Sequence, residues 1–181
     1  VGSFEVEMGI YEISNRNKIR KLDQIRHVTA LGKDTYNNGK ISYEMVEELC
    51  DVLAGFAGIM KSYKVTEYRA YATSAVREAD NMDLVLDVIE HTTGIRVQVL
   101  SNSEQRYISF KGLVAKYSDF HQVVSKNTAF VDVGAGSVQI SLFDKDTLVS
   151  TQNLKLGVLR LRESMNLLNA SLSQYRTLIG E

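Results

Sequence analysis

The stretch Thr128-Ala-Phe-Val-Asp-Val-Gly-Ala-Gly-Ser-Val-Gln-Ile140 constrains this chain most, because an apolar strand runs into an aspartate and then into a tight turn of small residues. An acid at the end of a strand, followed at once by Gly134, Ala135, Gly136 and Ser137, places a carboxylate beside backbone N–H groups. Glycines allow positive φ and close approach of a ligand, and successive amides in such a turn form an anion-binding concavity. Asp132 would then hold a divalent cation against the same phosphate, since Mg²⁺ favours one or two carboxylates plus phosphate oxygens. The competing reading is an ordinary glycine-rich hairpin turn with a chance acid before it. A short glycine motif does not by itself separate the two.

The rest of the chain supplies the context. Residues 3–13 and 19–29 read as two strands joined by the polar turn Asn15-Arg16-Asn17-Lys18, and Phe4, Val6 and Met8 alternate with Glu5 and Glu7. Residues 31–40 are dense in turn formers and read as a loop. Ser42 is placed as a helix N-cap, with Glu44 near the positive end of the dipole. Behind it Met45, Leu49, Leu53, Phe56 and Met60 make one apolar stripe, with Glu44, Glu47, Glu48 and Asp51 on the solvated side. Then come a strand over residues 67–72, a helix with the stripe Met82, Val85, Leu86 and Ile89, a stop at Gly94, a strand over 95–100, and a third helix from about residue 101 to Tyr117. Alternation of this kind predicts an α/β domain with a partly parallel sheet covered by helices.

After Ser125-Lys126-Asn127 the pattern restarts with strands over residues 128–134, 136–143 and 147–154, a helix over 158–168, and part of another over 171–180. The order of elements suggests an internal duplication whose second copy stops early. A half-sheet of this kind leaves apolar area uncovered. Either more chain past Glu181 or another chain, as in a homodimer, would cover it.

Composition removes several function classes. The net charge is −1, so nothing argues for nucleic acid or anionic lipid as the main partner. No long apolar run or basic-then-apolar leader marks a membrane span or signal peptide. The single cysteine, Cys50, cannot form an internal disulfide; it reads as core filler and suits a reducing, cytoplasmic location. His27, His91 and His121 show no metal-ligand spacing. Tyr43, Tyr63, Tyr68 and Tyr71 read as packing residues, and Lys126, Lys145 and Lys155 either attract a polyanion or solvate loops.

Five segments in order resemble the exopolyphosphatase and guanosine pentaphosphate phosphohydrolase family, within the actin-like, sugar-kinase superfamily. Gly2-Ser3 stands where that family has its first phosphate loop, D-x-G-S-N-S. Ala72-Thr-Ser-Ala-Val-Arg77 resembles A-T-S-A-x-R, and Val99-Leu-Ser-Asn-Ser-Glu-Gln-Arg106 resembles V-I-S-G-x-E-E-A-R, which carries the catalytic glutamate. Val131-Asp-Val-Gly-Ala-Gly-Ser-Val-Gln139 resembles the second phosphate loop, D-I-G-G-G-S-T-E, and Leu156-Gly-Val-Leu-Arg-Leu-Arg-Glu163 resembles L-G-x-V-R-L-T-E.

The resemblance implies a ribonuclease-H-like (actin-like) α/β domain over residues 1–124, followed by the first part of a second, duplicated copy over 125–181. It implies a cleft between two related domains, closed by both phosphate loops and using Mg²⁺. The implied reaction releases orthophosphate from the end of inorganic polyphosphate, or removes the 5′ γ-phosphate of guanosine pentaphosphate. Gly2, Ser3, Arg77, Gly134, Ala135, Gly136 and Ser137 would bind phosphate, Asp132 and Gln139 would hold the metal, and Glu104 or Gln105 would act on the attacking water. Arg77 has a second reading as a surface partner of Glu78 or Asp80.

The departures matter as much. Gln105 stands at the family's second glutamate, and an amide cannot take a proton as a carboxylate does. Glu104, one place earlier, either replaces it or closes the capping box Ser101-Asn-Ser-Glu104. Gln139 replaces a metal-linked glutamate, Ala135 a glycine, and Phe4 and Glu5 an asparagine and a serine. The first loop's own aspartate would lie before Val1. With no catalytic carboxylate, the same fold would serve as a polyphosphate or alarmone sensor.

Overall fold

A computed structural model of the chain describes residues 1–14, 19–116 and 120–168. The turn at Asn15–Lys18 and the last helix expected from the sequence lie outside the described residues. The fold is α/β and divides into two compact units, Val1–Val99 and Leu100–Glu181.

In the first unit, β1 (Glu5–Ile13) and β2 (Ile19–Val28) form the expected antiparallel ladder, with a register shift after Ile10. The alternation of β1 puts Val6 and Ile10 inside at 2% and 5% exposure. β3 (Ala70–Ala72) and β4 (Val97–Val99) pair in parallel. Val1 links the two ladders: its nitrogen donates to the Tyr71 carbonyl, and the Thr73 N–H donates back to the Val1 carbonyl at 3.1 Å. That pattern of exchange is the one a parallel neighbour of β3 makes.

Residues 31–40 are not the loop expected. They contain a short helix, α1 (Gly32–Asn38), which ends where Gly39 takes a left-handed φ of 72°. Tertiary anchors override the local turn chemistry here. Leu31 is fully buried and the Thr35 hydroxyl donates to the Ala75 carbonyl at 2.9 Å. The Asn-Asn-Gly run therefore marks the helix end, as a glycine at that place should. Ser42 does stand at the N-cap of α2 (Tyr43–Ser62), yet its hydroxyl and its N–H both donate to Asp34 Oδ2, at 2.5 and 2.9 Å.

The α2 stripe is as expected. Leu49, Leu53 and Phe56 are buried, Met45 and Met60 pack on the core edge, and Val46 and Cys50 widen the face. α3 (Ser74–Arg77) is one turn, and α4 (Met82–Thr93) buries Val85 and Ile89 before stopping at Gly94, φ 72°. Both α2 and α4 feed one apolar core with Ile41, Ala72, Val76 and Ile95. Tyr43, Tyr63 and Tyr68 are exposed at 68%, 45% and 46%, so three of the four tyrosines read as packing residues are surface groups instead.

In the second unit come α5 (Asn102–Lys116), α6 (Phe120–Val124), which the sequence reading did not anticipate, and the antiparallel meander β5 (Thr128–Val133), β6 (Val138–Asp144) and β7 (Thr147–Leu154), then α7 (Val158–Leu167). β6 and β7 turn through Lys145 and Asp146, both with positive φ (45° and 65°), the conformation that matches strand twist in a two-residue hairpin. Phe110 of α5 meets Phe130 and Phe143 edge-on, with centroids 5.5 and 5.1 Å apart. This packing joins α5 to the β5–β7 sheet, and both belong to the compact unit that begins at Leu100. The opposite sheet face, with Val131, Val133 and Leu142, is exposed. Among the described residues no helix is long and apolar enough to cross a membrane.

Candidate phosphate-binding site

The second unit's turn is built by its neighbours. Gly134 N–H donates to the Ser137 carbonyl at 2.9 Å, closing the β5–β6 hairpin one step beyond the Val133–Val138 pair. Gly134 does not use the left-handed region that the sequence reading allowed for it; a Cβ there would lie 3.2 Å from the Ser137 carbonyl oxygen. The carbonyls of Gly134, Ala135 and Gly136 are directed to α7. Gly134 O accepts from Val158 N–H at 3.1 Å, Ala135 O accepts from Leu159 and Arg160 N–H at 2.9 and 3.3 Å, and Gly136 O accepts from Arg160 Nε at 3.0 Å.

A trans peptide is planar, so each N–H points opposite to the carbonyl of the residue before it. The amides of Ala135, Gly136 and Ser137 therefore project together, away from α7. Three adjacent N–H groups on one side of a turn make a concavity for an anion. Gly157 is what lets α7 come this close. A Cβ on it would stand 2.3 Å from the Ala135 oxygen.

Directly behind the turn, Asp132 and Gln139 are cross-strand partners and share a sheet face, as does Asn153, the partner of Gln139 on β7. Asp132 is exposed, whereas Gln139 is 4% exposed. Gln139 Nε2 and Asn153 Oδ1 are buried without a hydrogen-bond partner among the described residues. Both Asp132 and Gln139 line a hollow of about 440 Å³ under α5, with Arg106, Phe110 and Ser141. Arg106 crosses from α5 to β7, donating to the hydroxyls of Ser103, at 3.2 Å, and Thr151.

Glu104 sits in the capping box. Its Oε2 accepts the Ser101 N–H at 2.8 Å while its own N–H donates to Ser101 Oγ at 3.2 Å. These bonds, the backbone one first, hold its carboxyl below the usual glutamate range. Gln105 follows on the half-buried side of the same turn. Among the described residues no three His, Cys, Asp or Glu side chains gather to hold a metal unaided. The donor set fits Mg²⁺ in one form, with Asp132 giving the carboxylate and the Gln139 amide oxygen a neutral ligand, the other oxygens coming from phosphate and water.

The first unit holds the remaining nominated residues, Gly2, Ser3 and Arg77. Gly2 N–H donates to the Glu5 carbonyl at 2.9 Å and turns the chain into β1. Ser3 is buried, its Oγ 2.9 Å from Ser74 Oγ, and the Tyr36 hydroxyl reaches both at 2.7 and 3.2 Å. Arg77, one turn beyond Ser74, is half-buried, and burial lowers its pKa while Glu78 and Tyr36 oppose that shift. Ser74, Gly157 and Arg160 all lie inside segments the sequence reading quoted but were not singled out there. Tyr36 lies in the stretch read as a loop. A larger hollow of about 630 Å³, walled by β1 and α2, touches none of the nominated residues and is mostly apolar.

Comparison with known proteins places this geometry in a family. The chain is 28% identical over 142 residues to exopolyphosphatase 1 of Mycobacterium leprae, covering 78% of this chain and 40% of that protein. It is also 28% identical over 167 residues to a bifunctional 3-dehydroquinate synthase/phosphatase of Fusobacterium nucleatum, covering 91% of this chain and 24% of the relative. An exopolyphosphatase crystal structure from Cytophaga hutchinsonii superposes with a TM-score of 0.77 at 25% identity, over 90% of this chain and 51% of that one. The chain thus spans less than half the length of these curated relatives. The Ppx/GppA phosphatase family pattern matches residues 10–173, which include the second turn and the α7 segment, and the chain belongs to that family.

Proposed function

We propose that this chain carries phosphate-binding parts of a phosphoanhydride hydrolase that releases orthophosphate from the end of inorganic polyphosphate or from guanosine pentaphosphate. The observation that supports this most is the turn whose Gly134, Ala135 and Gly136 carbonyls are taken by α7, leaving the Ala135, Gly136 and Ser137 amides on one side. In this reading those amides receive a phosphoryl oxygen and Gln139 Nε2, a buried donor without a partner among the described residues, completes the set. Asp132 holds the Mg²⁺ ion that neutralises phosphate charge. Arg77 clamps a phosphate through its planar donor fork. Such chemistry is mainly positioning and charge neutralisation. The fold class proposed is actin-like, with the second unit as the opening of a duplicated copy, in a cytoplasmic protein that pairs with itself.

Phosphate release from polyphosphate in the presence of Mg²⁺, lost in Asp132→Ala, is the deciding assay. A second reading has a specific observation behind it. With Glu104 committed to its cap and amides at 105 and 139, Asp132 is the nominated acid that stays behind the turn. Polyphosphate or alarmone binding without any phosphate release would establish this chain as a sensor.

A further inference from the structure

Three hydroxyls from three separate elements meet in the first unit. Ser3 precedes β1, Tyr36 belongs to α1 and Ser74 opens α3; their oxygens lie 2.7, 2.9 and 3.2 Å apart. Ser3 and Ser74 are 4% and 5% exposed, so neither can meet a ligand directly in this arrangement. Tyr36 is half-buried, which makes it the most accessible residue of the three. Its place is not accidental. The Thr35 hydroxyl, bonded to the Ala75 carbonyl, ties α1 to α3 and fixes the neighbouring tyrosine against Ser74. On α3, residues three apart share a face, which puts Arg77 beside the same phenol, and the phenol is among the groups that act on the Arg77 charge.

Resting on the phosphate reading above, we propose that Tyr36 is a phosphate-binding residue, its hydroxyl standing over the buried Ser3 and Ser74 pair and donating, next to Arg77, to a phosphoryl oxygen. In the ligand-free arrangement the phenol donates to Ser3 Oγ. On binding, rotation about its C–O bond turns that donor to the anion, while Ser3 and Ser74 keep each other satisfied. One neutral hydrogen bond is exchanged for one to a charged acceptor, the stronger kind.

The test uses the whole chain and sodium polyphosphate, with titration calorimetry and tyrosine ultraviolet difference spectra. Tyr36→Phe is expected to weaken binding by about 5- to 20-fold and to remove part of the difference spectrum, with a melting temperature lowered by no more than about 5 °C for the lost hydroxyl bond. Tyr43→Phe, the same deletion on the exposed face of α2, is expected to bind as the unmodified chain does. Equal affinity of Tyr36→Phe and the unmodified chain overturns the assignment while leaving the phosphate reading intact. A weaker Tyr36→Phe whose melting temperature falls by more than about 5 °C assigns the phenol to holding the fold, which overturns the proposal too. Absence of polyphosphate binding by the unmodified chain sinks the phosphate reading and this inference with it.

Discussion

Replacing Gly157 with alanine tests the link between α7 and the β5–β6 turn. The added Cβ would lie 2.3 Å from the Ala135 carbonyl oxygen, 2.3 Å from the Gly136 carbonyl carbon and 2.4 Å from the Ala135 carbonyl carbon. All three are backbone atoms, so no rotamer change relieves the clash. To restore ordinary contact the turn and the helix must separate by about 1 Å. That movement weakens the three N–H···O bonds from Val158, Leu159 and Arg160, each worth about 0.5–1.5 kcal/mol. Overpacking adds about 1–3 kcal/mol, and the lower entropy of the unfolded alanine chain returns about 0.4–1 kcal/mol. The net loss expected is about 2–4 kcal/mol, or about 5–15 °C in melting temperature for a chain of this size. Thermal melts by circular dichroism measure it, and polyphosphate titration reports the turn directly. A variant melting within about 2 °C of the parent, with unchanged affinity, would refute the argument that this glycine is needed for the approach of α7.

Three further outcomes follow from local geometry. Gly58→Ala, in exposed α2 with nothing within 4 Å of the new methyl, should stabilise the chain by about 0.5–1 kcal/mol in urea unfolding. Glu104→Gln should flatten part of the acid limb of stability: the carboxyl's folded pKa is lowered, so its contribution is complete above the ordinary glutamate value and fades as pH falls through the lowered one. Melts between about pH 6 and about pH 3 on both forms show it. Cys50, buried and with its thiol pKa raised chiefly by that burial, should react with iodoacetamide on the order of 100-fold more slowly than in urea.

What could be read from the residues depended on whether local pattern or distant contact decided the outcome. The alternation around Val6 and the Leu49, Leu53 and Phe56 stripe are local, and they report burial directly. Gly94 stops α4 because its own backbone takes φ 72°. α1 was hidden because Thr35 is held by Ala75, forty positions away, and Leu31 is buried in the core, against a sequence dense in turn formers. Gly134 and Gly136 drew attention as sources of positive φ, but Gly157 carries the steric requirement, through a contact no spacing rule reveals. Glu104 was legible as a capping residue from Ser101-Asn-Ser-Glu104, and the cap is what forms. Tyr36 could not be nominated, since its importance lies in meeting Ser3 and Ser74, 33 and 38 positions distant.

Because the first amides of α7 are spent on the Gly134 and Ala135 carbonyls, the helix cannot slide or tilt without dragging the turn along. The two behave as one mechanical part, with Arg160 as a second rivet. A force or a binding event at the far end of α7 would thus be felt at the Gly134–Ser137 turn with no hinge between them to absorb it.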